Sequence, residues 1–207
     1  NIQARADIFR VKLILEEGGV WVDASLLPVA PLEDWLPGLL SPSGFFSFRQ
    51  CGYDRLIGNW FMAAEAGNPL VAAWYARMLD YMKTPRTPAN ESALLWRAMR
   101  RGDYLGTVRD TRGPRSSRYP YFWSHYLFEI LVKEDPEAAR HWAKMPVWPV
   151  LPTHALQHAR FLHKMPDSDF QASLPVLLRN APVQKLNWRH DWPEAIFDNI
   201  PVNQITR

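Results

Sequence analysis

Three residues near the start of the chain could do chemistry together. Asp7 and Arg10 stand three apart in QARADIFRVKLILEE, and Asp23 follows the apolar triplet Val20-Trp21-Val22. A spacing of three places Asp7 and Arg10 on neighbouring positions of one helix face. They flank the apolar stripe of Ala4, Ile8, Val11 and Leu15. A surface ion pair of small energetic value is one role for them. The other is a charged pair held near the carboxyl end of the following strand, where open α/β sheets bind ligands. A carboxylate ending a buried strand needs a partner, because burying an unpaired charge is costly. Ser25 lies two residues beyond Asp23, so both oxygens leave the strand in the same direction and can hold a hard divalent ion. The plain alternative is a turn-forming aspartate.

Those side chains must be positioned by regular elements. The apolar periodicity predicts a helix over residues 3–17, stopped by Gly18-Gly19. Residues 20–22 then read as a short buried strand. Pro28 and Pro31 punctuate a loop, with a helical turn expected over 32–36. Strands are expected over 45–48 and 59–63. Asn68-Pro69 opens a helix running to about Met82, with proline in its first turn. Asn90 suits the cap of a helix over 90–101. Residues 106–120 read as a long polar loop, and helices follow over 121–133 and 136–144. A short helix is expected over 154–163, and residues 186–207 form a Trp- and Pro-rich tail. Strands come early and helices late. This is an incomplete α/β pattern, expected of a single domain over 1–207 whose first strands precede Asn1.

Composition narrows the function classes. The 207 residues carry 47% hydrophobic and 22% charged side chains, as an ordinary globular domain does. The net charge is +3, and basic residues such as Arg97, Arg100 and Arg101 form no dense stripe, so no nucleic-acid partner is expected. A mild pull toward anionic small molecules or lipid surfaces remains. The lone Cys51 makes no internal disulfide and fits a reducing compartment, as an idle thiol. Apolar runs are cut by Asp, Arg or Pro, so no membrane span is expected. His154 and His158 share a helix face with His163 nearby, but no Cys or acid completes a local zinc set. Ser116 and Ser117 sit among Arg112, Arg115 and Arg118 in the polar loop, where they could grip an anion or simply be solvated. Aromatic residues, 13% of the chain, build cores first and sugar-stacking platforms second.

The stretch ARADIFRVKLILEEGGVWVDASLLPVAPLEDWL resembles the signature of the capsular-polysaccharide-synthesis type of glycosyltransferase. That type is similar to the wider set of sugar transferases with an Asp-x-Asp motif. The matching positions are Ala6, Asp7, Arg10, Gly18, Gly19 and Asp23, with Ser25 where the wider set has a second Asp. GNWFMAAEAGNPLVAAWYARML resembles the strand and helix after the metal site. YPYFWSHYLFEILVKEDPEAARHWAKMP resembles an aromatic helical segment. APVQKLNWR resembles a closing His-Lys-Leu element in which Gln184 replaces the His.

The resemblance implies a GT-A-like, Rossmann-like core lacking its N-terminal strands, with a helix-rich C-terminal half. It implies sugar transfer from a nucleotide sugar, a UDP-sugar above all, to a glycan or lipid-linked acceptor, with retained anomeric configuration. Mn²⁺ or Mg²⁺ would bridge the diphosphate through Asp23 and Ser25. Asp7 and Arg10 would hold donor hydroxyls and phosphate. Lys185 would add charge to the leaving diphosphate, unless it is a solvated surface lysine, and Gln184 would stand beside it. Trp21, Asn59 and Trp60 would be sugar-side residues, with core packing the plainer role for Trp60. Glu65 and Glu91 are the weak candidates for a nucleophile; Glu91 also suits a helix start. The expected setting is cytoplasmic, with peripheral association at the inner face of a membrane. The alternative is a degenerate module that binds a nucleotide sugar or a partner without turnover.

Overall fold

The computed structural model describes residues 2–198 apart from 53, 86, 90–92, 94–95, 97–99, 101, 110–111 and 115–119. The chain is a mixed α/β structure. Its first helix, α1 (Ile2–Glu17), buries Ala4, Asp7, Val11 and Ile14. Asp7 is therefore on the buried stripe, whereas spacing alone placed it at the flank. Ile8 and Leu15 pack only partly against the core. Gly18 ends α1 at φ +70°, where its N–H donates to the Ile14 carbonyl at 3.1 Å. A Cβ there would lie 2.8 Å from the backbone nitrogen of Ala66, so both conformation and space demand glycine.

The main sheet has the order β1-β4-β3, from β1 (Gly19–Val22), β3 (Phe45–Arg49) and β4 (Ile57–Ala64). Both of its pairings are antiparallel: Val22 pairs with Phe61, and Phe45 with Ala64. Central β4 is almost wholly buried. By contrast β1 is an edge strand, with Val20 37% and Val22 45% exposed. This corrects the expectation of a buried strand: apolar β-branched residues suit any strand, and their type does not separate an edge from a centre. Trp35, Phe46, Phe48, Phe61 and Trp148 form a contiguous aromatic cluster beside the sheet, so much of the aromatic content does build core.

The short helix α2 (Leu36–Leu40) leads into β3 and buries Leu36, and three longer helices complete the main core. Asn68 caps α3 (Pro69–Lys83) by accepting from the N–H groups of Leu70 and Val71. The core also takes α4 (Trp123–Glu134) and α5 (Pro136–Lys144), the latter capped by Asp135. A second apolar cluster joins Leu27, Leu156, Phe170, Leu174, Leu178 and Leu186. It rests on α6 (Asp167–Leu178), a helix that Pro175 hides from periodicity. Above it, β2 (Leu26–Pro28) pairs antiparallel with β7 (Val183–Lys185).

Within the expected polar loop the structure has a helical turn at Gly106–Arg109. It also has a parallel pair, β5 (Thr87–Ala89) with β6 (Arg112–Pro114). The proposed helix over 154–163 resolves into a short α-turn and a wider π-turn. Glu91, Arg97, Arg101, Arg115, Ser116, Ser117 and Arg118 lie outside the described residues, as do parts of the expected 90–101 helix.

Candidate active site

The β2–β7 pair brings an early and a late segment of the chain together. Leu26 opposes Lys185 and Leu27 opposes Gln184, and the Leu186 N–H donates to the Ser25 carbonyl at 2.8 Å. A turn holds Asp23 just before β2: the Leu26 N–H donates to the Asp23 carbonyl, and the Asp23 N–H to the Trp60 carbonyl, each at 2.9 Å. Successive strand residues face opposite sides. Lys185 therefore faces Asp23, while Gln184 faces the interior.

A cleft of about 550 Å³ opens at this junction. Asp7, Arg10, Asp23, Ser25, Asn59, Trp60 and Lys185 all line it. Trp21 does not, but its indole N–H donates to Asp23 Oδ1 at 3.3 Å and its ring lies 5.2 Å from the Arg10 guanidinium carbon. Gln184 is fully buried. Its amide donates to the carbonyls of Pro152 and Leu177 and accepts from the Leu156 N–H, so it ties β7 to the second core. Glu65 lines a separate hollow with Gly44, Asn68, His141 and Lys144.

Arg10 is the hub of the charged groups. Its Nη1 is 3.3 Å from Asp23 Oδ1 and donates to the Asn59 carbonyl at 2.7 Å, while Nη2 is 3.7 Å from Asp7 Oδ1. Asp7 in turn accepts from Asn59 Nδ2 at 2.9 Å and from Trp123 Nε1 at 3.1 Å. Burial pushes the Asp7 carboxyl up to about 6, against the opposing pull of Arg10 and of hydrogen bonds from Ser124, Trp123 and Asn59. On the far side of Asp23, Lys185 Nζ is 3.3 Å from Oδ2 and donates to Ser25 Oγ. Burial lowers the Lys185 pKa, while Asp23 opposes that shift. Asp23 thus stands between two cations, yet 30% of its side chain remains exposed to the cleft.

Arg10 and Lys185 are the cations that meet Asp7 and Asp23, while Arg55, also in the lining, pairs with Asp54 at 3.0 Å. A ligand anion entering beside Arg10 and Lys185 would meet two cations already fixed in place. Trp60 lies flat against Phe48, with ring centroids 5.4 Å apart and an interplanar angle of 12°. It keeps an edge in the cleft, so it serves packing and lining together.

Sequence reading missed several lining residues. Phe122 and His125 come from the start of α4, Gln157 from the turns before α6 together with His154, which the sequence offered only as a zinc ligand, and Trp188 from the segment after β7. Burial, with Arg55 and Arg10 nearby, pushes His125 down to about 3 and keeps it a neutral hydrogen-bonding group. Its only signal was the aromatic run YFWSHYLF. Nothing in the sequence linked Trp123 to Asp7, 116 positions away.

The two oxygens that the resemblance assigns to a divalent ion, those of Asp23 and Ser25, both meet the Lys185 ammonium. Gln184, at the position of the family's closing His, is held in the core. Among the described residues no three His, Cys, Asp or Glu side chains group so as to hold a metal ion. This donor set does not fit a resident Mn²⁺ or Mg²⁺, which favour several oxygen ligands.

Comparison with known proteins bears on the same residues. The family described as "Capsular polysaccharide synthesis protein" matches residues 1–90. The chain is also 28% identical over 93 residues to "Putative glycosyltransferase HOC1" of Saccharomyces cerevisiae, a match covering 39% of this chain and 24% of that protein. The matched stretch thus spans about a quarter of that relative's length. No solved structure matches. The family match includes Asp7, Arg10, Asp23, Ser25, Asn59 and Trp60, and it stops before the aromatic segment and the closing element with Lys185. Over residues 1–90 the chain is thus similar to the family of capsular polysaccharide synthesis proteins, the stretch in which Asp7, Arg10, Gly18-Gly19 and Asp23 carry the resemblance.

Proposed function

We propose that the cleft binds a nucleotide sugar, a UDP-sugar above all, and transfers the sugar to a glycan or lipid-linked acceptor in capsule-type polysaccharide synthesis. The observation that carries this reading is the convergence of Asp7, Arg10, Asp23, Asn59 and Lys185 on one open cleft. In the reaction the bond from the anomeric carbon to the diphosphate breaks and its electron pair stays on the diphosphate oxygen. The acceptor hydroxyl oxygen bonds to the anomeric carbon, and its proton passes to a phosphate oxygen or to water. Cations fixed beside the leaving oxygen stabilise the charge that develops there. Arg10 and Lys185 are those cations. The Asp7 carboxylate, held by Asn59 and Trp123, is oriented to accept hydroxyl hydrogen bonds from the donor sugar. The GT-A architecture and retained configuration follow from the resemblance. Among the described residues no helix is long and apolar enough to cross a membrane; peripheral association at a membrane face would bring the cleft to a lipid-linked acceptor.

The test is release of UDP from a panel of UDP-sugars by the wild type and by Asp23→Ala. Turnover by the wild type, reduced about a hundredfold or more in the variant, is expected. Absence of both binding and turnover across the panel refutes the reading. The second reading, binding without turnover, is favoured by the pairing of both Asp23 oxygens with cations. It predicts saturable UDP-sugar binding with no release of UDP.

A further inference from the structure

Resting on the transferase reading, we propose that the Lys185 ammonium, with the Arg10 guanidinium, takes the place of the divalent ion, so that this cleft binds diphosphate without metal. The expected ion would sit between Asp23 and Ser25. That position is within reach of Lys185 Nζ, which lies 3.3 Å from Asp23 Oδ2 and donates to Ser25 Oγ. The ammonium is held there by the backbone, since the β2–β7 register sets Leu26 opposite Lys185. The Trp60 ring, 5.9 Å from Nζ, adds a favourable face for a cation. Arg10 approaches the same carboxylate from the other side, with Nη1 3.3 Å from Oδ1. A divalent ion entering between these oxygens would meet two fixed positive charges with one certain carboxylate as its anchor. Gln184, at the position of the family's closing His, adds no ligand to the cleft, because strand alternation turns it into the core.

An incoming diphosphate meets a different balance. It can accept from Lys185 and Arg10 while Asp23 keeps both cations oriented, and charge-assisted hydrogen bonds of that kind are the strong ones. As the anomeric bond breaks, the electron pair left on the diphosphate oxygen is neutralised by these two side chains. Asp23 is then a positioning residue that holds Arg10 on one carboxylate oxygen and Lys185 on the other.

The experiment measures calorimetric binding of UDP and of inorganic pyrophosphate to the full chain, in excess EDTA and in saturating Mn²⁺. Affinities equal within about twofold in the two conditions are expected. Lys185→Met should weaken both ligands by about thirtyfold or more, with partial recovery in Lys185→Arg. The wild-type comparison stands even if a variant fails to fold. A tenfold or greater gain in affinity with Mn²⁺, or binding lost in EDTA, overturns the proposal. So does Lys185→Met with unchanged affinity. Sugar turnover that requires Mn²⁺ sinks this proposal and leaves the transferase reading standing. Metal-free UDP binding with no UDP-sugar turnover does the reverse. Failure of both ligands to bind under either condition refutes both.

Discussion

Asp7 offers a prediction whose magnitude follows from its surroundings. Its carboxyl is pushed up from 3.8 to about 6, chiefly by burial. Between those values the folded protein holds a proton that the unfolded chain has released. Stability then falls as pH rises, because the unfolded state binds fewer protons. The contribution is fully present below 3.8 and lost as pH rises through about 6. At 1.36 kcal/mol per pH unit, the rise from 3.8 to about 6 amounts to about 3 kcal/mol, most of it spread between pH 4 and 7. Other carboxylates titrate in the same range, so the measurement is a difference between two proteins. Urea unfolding of the wild type and of Asp7→Asn, at unit steps from pH 4 to 7, removes every group they share. Asparagine has one carbonyl oxygen for the donors on Asn59 and Trp123, which adds an offset that does not vary with pH. The stability of the wild type relative to the variant should decline by about 2–3 kcal/mol from pH 4 to pH 7. A difference that stays flat, or grows with pH, would falsify the claim that burial outweighs Arg10 at this site.

Two further perturbations separate space and reactivity from simple composition. Gly18→Ala and Gly19→Ala both place an L residue at positive φ, but only Gly18 would drive a Cβ to 2.8 Å from backbone, at Ala66. Thermal or urea unfolding should show Gly19→Ala costing about 1 kcal/mol and Gly18→Ala at least about 1 kcal/mol more; equal costs would remove the packing argument. Burial pushes the Cys51 thiol up to about 12 from 9.0. Alkylation by iodoacetamide at pH 8 should therefore be about a hundredfold or more slower in the native protein than in urea, and comparable rates would contradict that burial.

The sequence made the N-terminal half of the cleft legible because its residues are local. Asp7, Arg10 and Asp23 are separated by one helix, one glycine pair and one strand, each with a clear signal. Helix α3 was equally plain, since Asn68-Pro69 combines a cap with a first-turn proline. Asp7 as a buried group was not legible: periodicity marked a polar residue as the flank, and its donors Asn59 and Trp123 come from β4 and α4. The three-residue strands β2 and β7 escaped notice for a related reason. Their pairing is set across the chain, and a proline in β2 argues locally for a loop. With that pair unseen, Lys185 and Gln184 looked equally suited to the cleft, and only alternation separates them. Helix α6 was masked by Pro175, where packing of Phe170, Leu174 and Leu178 outweighs the lost hydrogen bond.

The pairing of β2 with β7 also fixes the order in which the cleft can be finished. Asp23 and Lys185 are 162 positions apart. At synthesis rates of 5–20 residues per second, translation separates them by about ten to thirty seconds. During that interval Asp23 has Arg10 beside it and nothing on its other flank from the late strand. A nascent chain therefore carries a half-built anion site, and it gains its second cation only when the last strand closes over the first turn.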